Sequence, residues 1–261
     1  TTDHAKHTAK LVIRNAELAD IPALRLLADK VYPDMPPYSE AALRGQIHRF
    51  PDGQFVAVYE DRIVGYCASI RVKEETALAP HTWIEITGGG YASTHLESGE
   101  ILYAMEVFVD PDLRGLRVGQ RFYNARKQLC KHLRLRGIVF GGRLPGLRKR
   151  IKKVGSVEEY VRRVQSKELR DTVLSFQLRQ GFEVLGILKN YLDYDYDSMG
   201  YATHMIWRNP QFESEHSGSE ASPSLRQDVV RLACVQYQQR RIQDFDEFEQ
   251  IVSFFVDVAA D

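Results

Sequence analysis

The chain has 261 residues, enough for one average domain and part of a second, and its 35 Lys and Arg balance 35 Asp and Glu. No net field therefore marks it for nucleic acid or an anionic membrane, no apolar run approaches the length that spans a bilayer, and 1–10 lacks the apolar centre of a signal peptide. Three cysteines, Cys67, Cys130 and Cys234, stand far apart with neither CxxC spacing nor a disulfide framework, which suits a reducing compartment and makes the cytoplasm the expected location.

Residues 1–10 are polar and are expected to be disordered. The apolar run 11–13 reads as the first strand. Asp20 is placed to cap a helix with Pro22 in its first turn and an apolar face of Ile21, Leu24, Leu27, Ala28 and Val31. Pro33, Pro36 and Pro37 end that helix, Ser39 caps a second one carrying Leu43, Ile47 and Phe50, and 51–53 turns the chain. Two β-rich runs, 55–59 and 63–72, are joined by Glu60-Asp61-Arg62, a hairpin signal. Between 73 and 99 the pattern weakens. Residues 83–87 are compatible with a strand, and Gly88-Gly89-Gly90 reads as a flexible link, not a nucleotide loop, because no helix pattern follows within reach. His81 and His95 stand isolated, for which a core or solvated role is expected. No His, Cys or carboxylate cluster has ligand spacing, so no metal is expected.

The most informative stretch is 101–142. A strand at 101–109 is stopped by Asp110-Pro111-Asp112, and a helix follows from Val118 with Phe122, Ala125, Leu129 and Leu133 on its apolar face. Gly137 is its expected stop, and 138–140 reads as a short buried strand. Between strand and helix, Arg114-Gly115-Leu116-Arg117-Val118-Gly119 gathers unpaired backbone N–H groups at one helix N-terminus, an anion site. Next, 141–170 is dense in Arg and Lys (Arg143, Arg148, Lys149, Arg150, Lys152, Lys153, Arg162, Arg163), with little aromatic interleaving to stack single strands. It reads as a solvated helical insertion, with contact to an anionic group as the alternative. Residues 171–182 form a helix ending in Gly-Phe, and 182–187 and 201–207 form a last strand pair. Between these strands Tyr191 to Asp197 is both acidic and aromatic, either a surface loop or a receiver for a cationic amine. A polar linker at 209–224 precedes an apolar strand at 229–237 and a helix capped by Asp244 that carries Phe248, Ile251, Phe255 and Val258.

Val109, Pro111, Arg114, Gly115 and Gly119 resemble the V-x-P-x-x-R-G-x-G-x-G/A signature of the GNAT superfamily of acyl-CoA-dependent N-acetyltransferases, with Arg117 at the usual middle glycine. The opening Ile13, Arg14, Ala16, Asp20, Pro22 and Leu24 and the helix ending in Gly181-Phe182 are similar to the same family. The resemblance implies an α/β fold with a mixed, mostly antiparallel central sheet flanked by helices. It also implies acetyl-CoA as cosubstrate, no metal, and direct attack by an amine, small-molecule or protein, within a ternary complex. Phe108 and Val109 would hold pantetheine through their backbone; Arg114, Gly115, Leu116, Arg117, Val118, Gly119 and Gln120 would hold the pyrophosphate. Arg117 is expected at negative φ with its side chain outward, within reach of a phosphate. A lysine-like amine with a pKa near 10.4 needs a base, and Glu106 is the candidate, on the side of the strand that carries Phe108 and away from Val107 and Val109, with Glu85 next. Gln177 stands where the family often has a tyrosine that protonates the departing thiolate. Tyr123, Tyr191 and Tyr194 are alternatives, unless the thiolate leaves unaided. A module that binds CoA without transferring acetyl is the rival expectation.

In the tail, Val230, Arg231, Ala233 and Gln236 resemble the opening strand of carbon-nitrogen hydrolase (nitrilase-like) domains, which occur fused to GNAT domains. The expected organisation is a disordered 1–10, a GNAT-like domain at 11–208 with the basic insertion 141–170, a linker at 209–224, and the first strand and helix of a truncated nitrilase-like domain at 225–261. Cys234 falls inside that strand, as a buried inert thiol, and no hydrolase activity is expected from this chain. Self-association or docking to the rest of a hydrolase domain are the expected macromolecular contacts; a membrane and nucleic acid are not.

Overall fold

The computed structural model describes residues 10–33, 39–113 and 115–212. The readings made for 1–9, for Arg114, for the linker beyond 212 and for the 225–261 fragment with Cys234 lie outside them.

Seven strands form one sheet: β1 (Val12–Asn15), β2 (Gln54–Tyr59), β3 (Arg62–Val72), β4 (Ile101–Val109), β5 (Gly137–Arg143), β6 (Glu183–Leu188) and β7 (Ala202–Arg208), in the order β1-β2-β3-β4-β5-β7-β6. Every neighbouring pair is antiparallel except β4 and β5, which are parallel. The β2–β3 hairpin turns through Glu60 and Asp61, both at positive φ, the turn whose twist matches that of the strands. Among the described residues eight helices cover the sheet: α1 (Ile21–Val31), α2 (Glu40–Arg49), α3 (Glu74–Leu78), α4 (Trp83–Thr87), α5 (Val118–His132), α6 (Leu147–Val154), α7 (Val157–Gln165) and α8 (Thr172–Arg179). One face buries Leu24, Leu43, Ile70, Tyr103 and Phe108 beneath α1 and α2, and the other buries Leu102, Ile138, Phe140, Leu174 and Met205 beneath α5, α7 and α8. Among the described residues no helix is long and apolar enough to cross a membrane.

The site is positioned by a defect in the middle of the sheet. Ser69 pairs with Ala104 and Ala68 with Glu106, so Met105 is an extra residue on β4, a bulge that bends the strand. The parallel ladder between β4 and β5 covers only Ile101–Tyr103 and Gly137–Val139, after which the strands part. Arg126, 3% exposed, reaches from α5 into the bulge and donates to the Ala68 and Glu106 carbonyl oxygens and to Ser69 Oγ. These bonds satisfy backbone groups that the irregular ladder would leave poorly paired.

Several local expectations are corrected. Residues 83–87 are helical: Thr82 Oγ1 accepts from the Glu85 N–H, Glu85 accepts from the Thr82 N–H, and Gly88 at φ 61° ends the turn, so capping at both ends outweighs the β-branched residues. Asp20 does not cap α1 with its side chain; its carboxylate takes a two-point bond from Arg14, at 2.7 and 2.8 Å. The face that α5 buries is Val118, Phe122, Tyr123, Arg126 and Cys130, with Leu129 and Leu133 only partly covered. Gly137 opens β5 instead of stopping α5, and Arg134 at φ 51° makes the turn. Within 141–170, residues 141–143 complete β5, and α6 and α7 bury Leu147, Val157, Tyr160, Val161 and Val164, so the insertion is solvated on one side only.

Candidate functional site

A cavity of about 520 Å³ fills the split between β4 and β5. One end is bounded by Gly119 at the start of α5, by Val107 and Phe140, and by Thr172, Phe176 and Gln177 of α8; the other by Tyr32, Trp83, Tyr91, Arg143, Tyr191 and Tyr194, with Glu106 on its wall.

The first end offers backbone. Residues 104–107 line the cavity where β4 has left β5, so the exposed strand edge begins before Phe108 and Val109. Phe108 itself is 2% exposed and packs against Tyr32 and Tyr66. The N-terminus of α5 has no side-chain cap, which leaves the amides around Val118, Gly119 and Gln120 at the positive end of a 15-residue helix. The approach to it turns through Gly115 at φ 114° and Arg117 at φ 56°. Arg117 is thus left-handed, contrary to the sequence-based expectation: the chain needs a left-handed residue at the N-cap of α5, where a glycine would sit without strain. Its side chain is exposed, as expected, while Leu116 and Val118 pack inward with Val109. Among the described residues of the predicted cofactor set, only Gly119 touches the cavity through its own surface.

The second end offers side chains. Glu106 Oε1 accepts from the Tyr32 hydroxyl at 2.9 Å and from the Val107 N–H at 2.9 Å. Burial, and after it the Glu106 charge, push the Tyr194 phenol up to about 12 and hold Tyr32 well above its usual value. Arg143 donates twice to Asp195, at 2.6 Å each. Burial works to raise the Asp195 pKa, but the bonds from Arg143 and Ser198 outweigh it and hold the carboxyl below its ordinary range. Asp195 is therefore spent on the fold and is not a receiver for an amine. Glu85 is likewise committed, to the cap of α4.

Also at the first end, Gln177 is 5% exposed and its Oε1 has no hydrogen-bond partner. Beside it, burial pushes the Tyr123 phenol up to about 12, partly offset by Arg126 and Gln177. His95 Nδ1 accepts from the Arg71 N–H and its ring stacks on Phe50, a structural role. Among the described residues no group of three or more His, Cys, Asp or Glu is arranged to hold a metal. Beside the start of α8, Lys149, Arg150, Lys153, Arg163 and Arg170 line a second hollow of about 660 Å³ that shares Thr172 with the first.

Sequence reasoning missed Tyr32, Trp83 and Arg126 as parts of this site. For Arg126 a signal existed: a cation four residues from both Phe122 and Cys130, on a buried helical face. Tyr32 and Trp83 carry no local signal.

A family model of the Acetyltransferase (GNAT) family matches residues 21–145. Two proteins of Bacillus subtilis (strain 168) are similar over most of the chain. "Uncharacterized N-acetyltransferase YkwB" is 33% identical over 205 residues, 76% of this chain and 89% of its own. "Probable hydrolase YhcX" is 37% identical over 262 residues, 99% of this chain but 50% of its own, so the chain spans about half the length of that relative. Among solved structures, the GphF GNAT-like decarboxylase in complex with isobutyryl-CoA has a TM-score of 0.65 at 26% identity, over 76% of this chain and 99% of that one. The loading GNATL domain of CurA from Lyngbya majuscula shares the fold, with a TM-score of 0.67 at 19% identity over 77% and 99%.

Proposed function

Because the chain belongs to the GNAT family of acetyltransferases, we propose that the split between β4 and β5 takes acetyl-CoA and that the protein passes the acetyl group to an amine by direct attack within a ternary complex. The pyrophosphate lies at the N-terminus of α5, on the amides of Gly115, Leu116, Arg117, Val118, Gly119 and Gln120 together with Arg114. Pantetheine runs along the free edge of β4, from 104 to Phe108 and Val109, which brings the thioester beside Glu106. The acceptor enters from the aromatic end. Glu106 removes the ammonium proton, the neutral nitrogen attacks the carbonyl carbon, and the thiolate departs, its thiol pKa near 8.5 making it a tolerable leaving group. Gln177 is no acid, and Tyr123 is the phenol next to it.

The observation that carries this assignment is Glu106, oriented by Tyr32 and by the Val107 N–H in the cavity that Gly119 opens. Amine-dependent release of CoA thiol tests it. Glu106→Gln should lower turnover by about 10²- to 10⁴-fold with acetyl-CoA affinity unchanged. Unchanged turnover removes Glu106 from the mechanism, and no release with any amine selects a CoA-binding module instead. Similarity along nearly its whole length to a probable hydrolase twice as long supports a further assignment, that this chain is the front part of a GNAT and carbon-nitrogen hydrolase fusion. The buried unpaired thiols of Cys67 and Cys130 fit a cytoplasmic setting.

A second activity, decarboxylation of a carboxylated acyl-CoA, is favoured by the 26% identity to a GNAT-like decarboxylase. Amine-independent release of CO₂ from a carboxylated acyl-CoA would select it.

A further inference from the structure

The aromatic end of the cavity is the inner terminus of a hydrogen-bonded chain that leads outward. Tyr191 lines the cavity, and its hydroxyl lies 2.9 Å from that of Tyr103, which is fully buried on β4. The Tyr103 hydroxyl lies 2.8 Å from His81 Nε2, and His81 Nδ1 lies 2.7 Å from the Ala79 carbonyl oxygen, at a part-exposed position. The outer bond fixes the polarity of the whole chain. A carbonyl oxygen only accepts, so a neutral His81 carries its proton on Nδ1 and presents a lone pair at Nε2. Tyr103 must then donate to His81, and the Tyr103 oxygen accepts from Tyr191. Every hydroxyl proton points away from the cavity and toward the imidazole.

We propose that Tyr191, Tyr103 and His81 form a proton relay that carries the acceptor's proton from the cavity to solvent, an inference that rests on the amine-transfer assignment above. In one turnover the proton that Glu106 has taken from the acceptor passes to the Tyr191 oxygen, the Tyr191 proton passes to Tyr103, and the Tyr103 proton passes to His81 Nε2. Both phenols end neutral, with their hydroxyls reversed, and the imidazole becomes imidazolium. Loss of a proton from His81 to water and rotation of the hydroxyls restore the starting state. Only O–H and N–H bonds change.

The surroundings suit a proton acceptor that is empty at neutral pH. His81 faces Tyr103 on β4, the His204 ring on β7 at 5.4 Å, the Tyr191 ring at 6.1 Å, and Glu85 on α4. Burial, with His204 adding to it, keeps the His81 pKa below its ordinary value against the opposing effects of the Ala79 carbonyl and Glu85. At the inner end, the charge of Glu106 acts on Tyr191, so the two groups border the same space. A relay also answers a need of the site: Glu106 is enclosed by Tyr32 and its own backbone, and once protonated it must discharge before the next turnover.

The test uses the full chain and two measurements. Nitrogen-15 NMR of labelled histidines reads the His81 tautomer directly: the expected form is Nδ1–H at pH 7, with the Nε2 resonance moving in Tyr103→Phe. An Nε2–H tautomer overturns the relay whatever the activity. In amine-dependent thiol release, Tyr191→Phe, Tyr103→Phe and His81→Ala should each lower kcat by about 10- to 100-fold with acetyl-CoA affinity unchanged. Added imidazole should restore part of the His81→Ala rate, which a structural role for His81 would not allow. Unchanged kcat in all three variants overturns the proposal. Absence of amine-dependent turnover in the wild type is a failure of the transfer assignment, and the tautomer then decides the relay by itself.

Discussion

The two ends of the cavity are built by different means. At the α5 end the chain contributes backbone from one short run, the edge of β4 followed by the turn into α5, whereas at the aromatic end it contributes side chains from α1, α4, β4, β5 and the 191–194 segment. Backbone amides recognise a phosphate without regard to which side chains they carry, so that end is specified by where glycine and proline fall. Side chains recognise an acceptor only once the fold has gathered them, so the other end is specified by the whole chain. A substitution at the first end should act on cofactor affinity, and one at the second on the rate.

The largest effect available to break that division is Glu106→Gln. It should cut turnover by about 10²- to 10⁴-fold while acetyl-CoA binding stays put; a comparable loss of acetyl-CoA affinity, measured by calorimetry, would show that the two ends are not separable. Next comes Arg126→Met, which acts on the bulge that both ends share. It removes three donated bonds, two of them to backbone carbonyls, and should cost about 2 kcal/mol in urea unfolding, since an unsatisfied buried group costs about 1–3 kcal/mol. A loss of only a few tenths would mean that the ladder holds the bulge without Arg126.

The aromatic end is also the one with an ion pair in its frame, which makes it the pH-sensitive half. Asp195 has a lowered pKa when folded, because Arg143 and Ser198 outweigh burial. A depressed carboxyl contributes stability that is fully present above its unfolded pKa of about 3.9 and is lost as pH falls through the lower folded value. Thermal unfolding of the wild type should therefore shift downward below about pH 4 more steeply than that of Asp195→Asn. At neutral pH the variant should be weaker by about 2 kcal/mol, less than for a fully buried pair because the Arg143 side chain is 32% exposed. Parallel acid limbs would remove this pair from the linkage.

The same division accounts for what could be read in the sequence. Ser39, Pro111, Gly115 and the hairpin at Glu60-Asp61 announce their structures because each imposes a local backbone constraint. The helix at 83–87 is misread as a strand because tryptophan and two isoleucines in five residues carry a strand-like composition, although Thr82 and Glu85 stand at the capping-box spacing that marks a helix start. His81, Tyr103 and Tyr191 meet across separations of 22 and 88 residues, and no periodicity encodes such a meeting. The position of Glu106 on the strand was legible because β4 is long and its alternation is regular from Val109 back to the bulge. The bulge itself was not legible, and it shifts the cavity wall from Phe108 and Val109 to 104–107.

Arg117 is where the division can be sharpened with the smallest perturbation. At φ 56° an arginine costs about 1–2 kcal/mol relative to its right-handed form, and as a cation at the positive end of α5 it opposes the helix dipole by some 0.3–1 kcal/mol. Arg117→Gly removes both costs but returns conformational freedom to the unfolded chain, worth about 0.4–1 kcal/mol. The net expectation is a gain of about 1.5 kcal/mol in thermal or urea unfolding. Acetyl-CoA binding moves independently of that gain. If the guanidinium pairs with the pyrophosphate from its exposed position, the pair is worth at most about 1 kcal/mol, and the variant should bind about fivefold more weakly. If the variant instead binds as well or better, the α5 end works through its amides alone, the left-handed turn matters more than the residue that makes it, and the contrast between a backbone end and a side-chain end holds without exception.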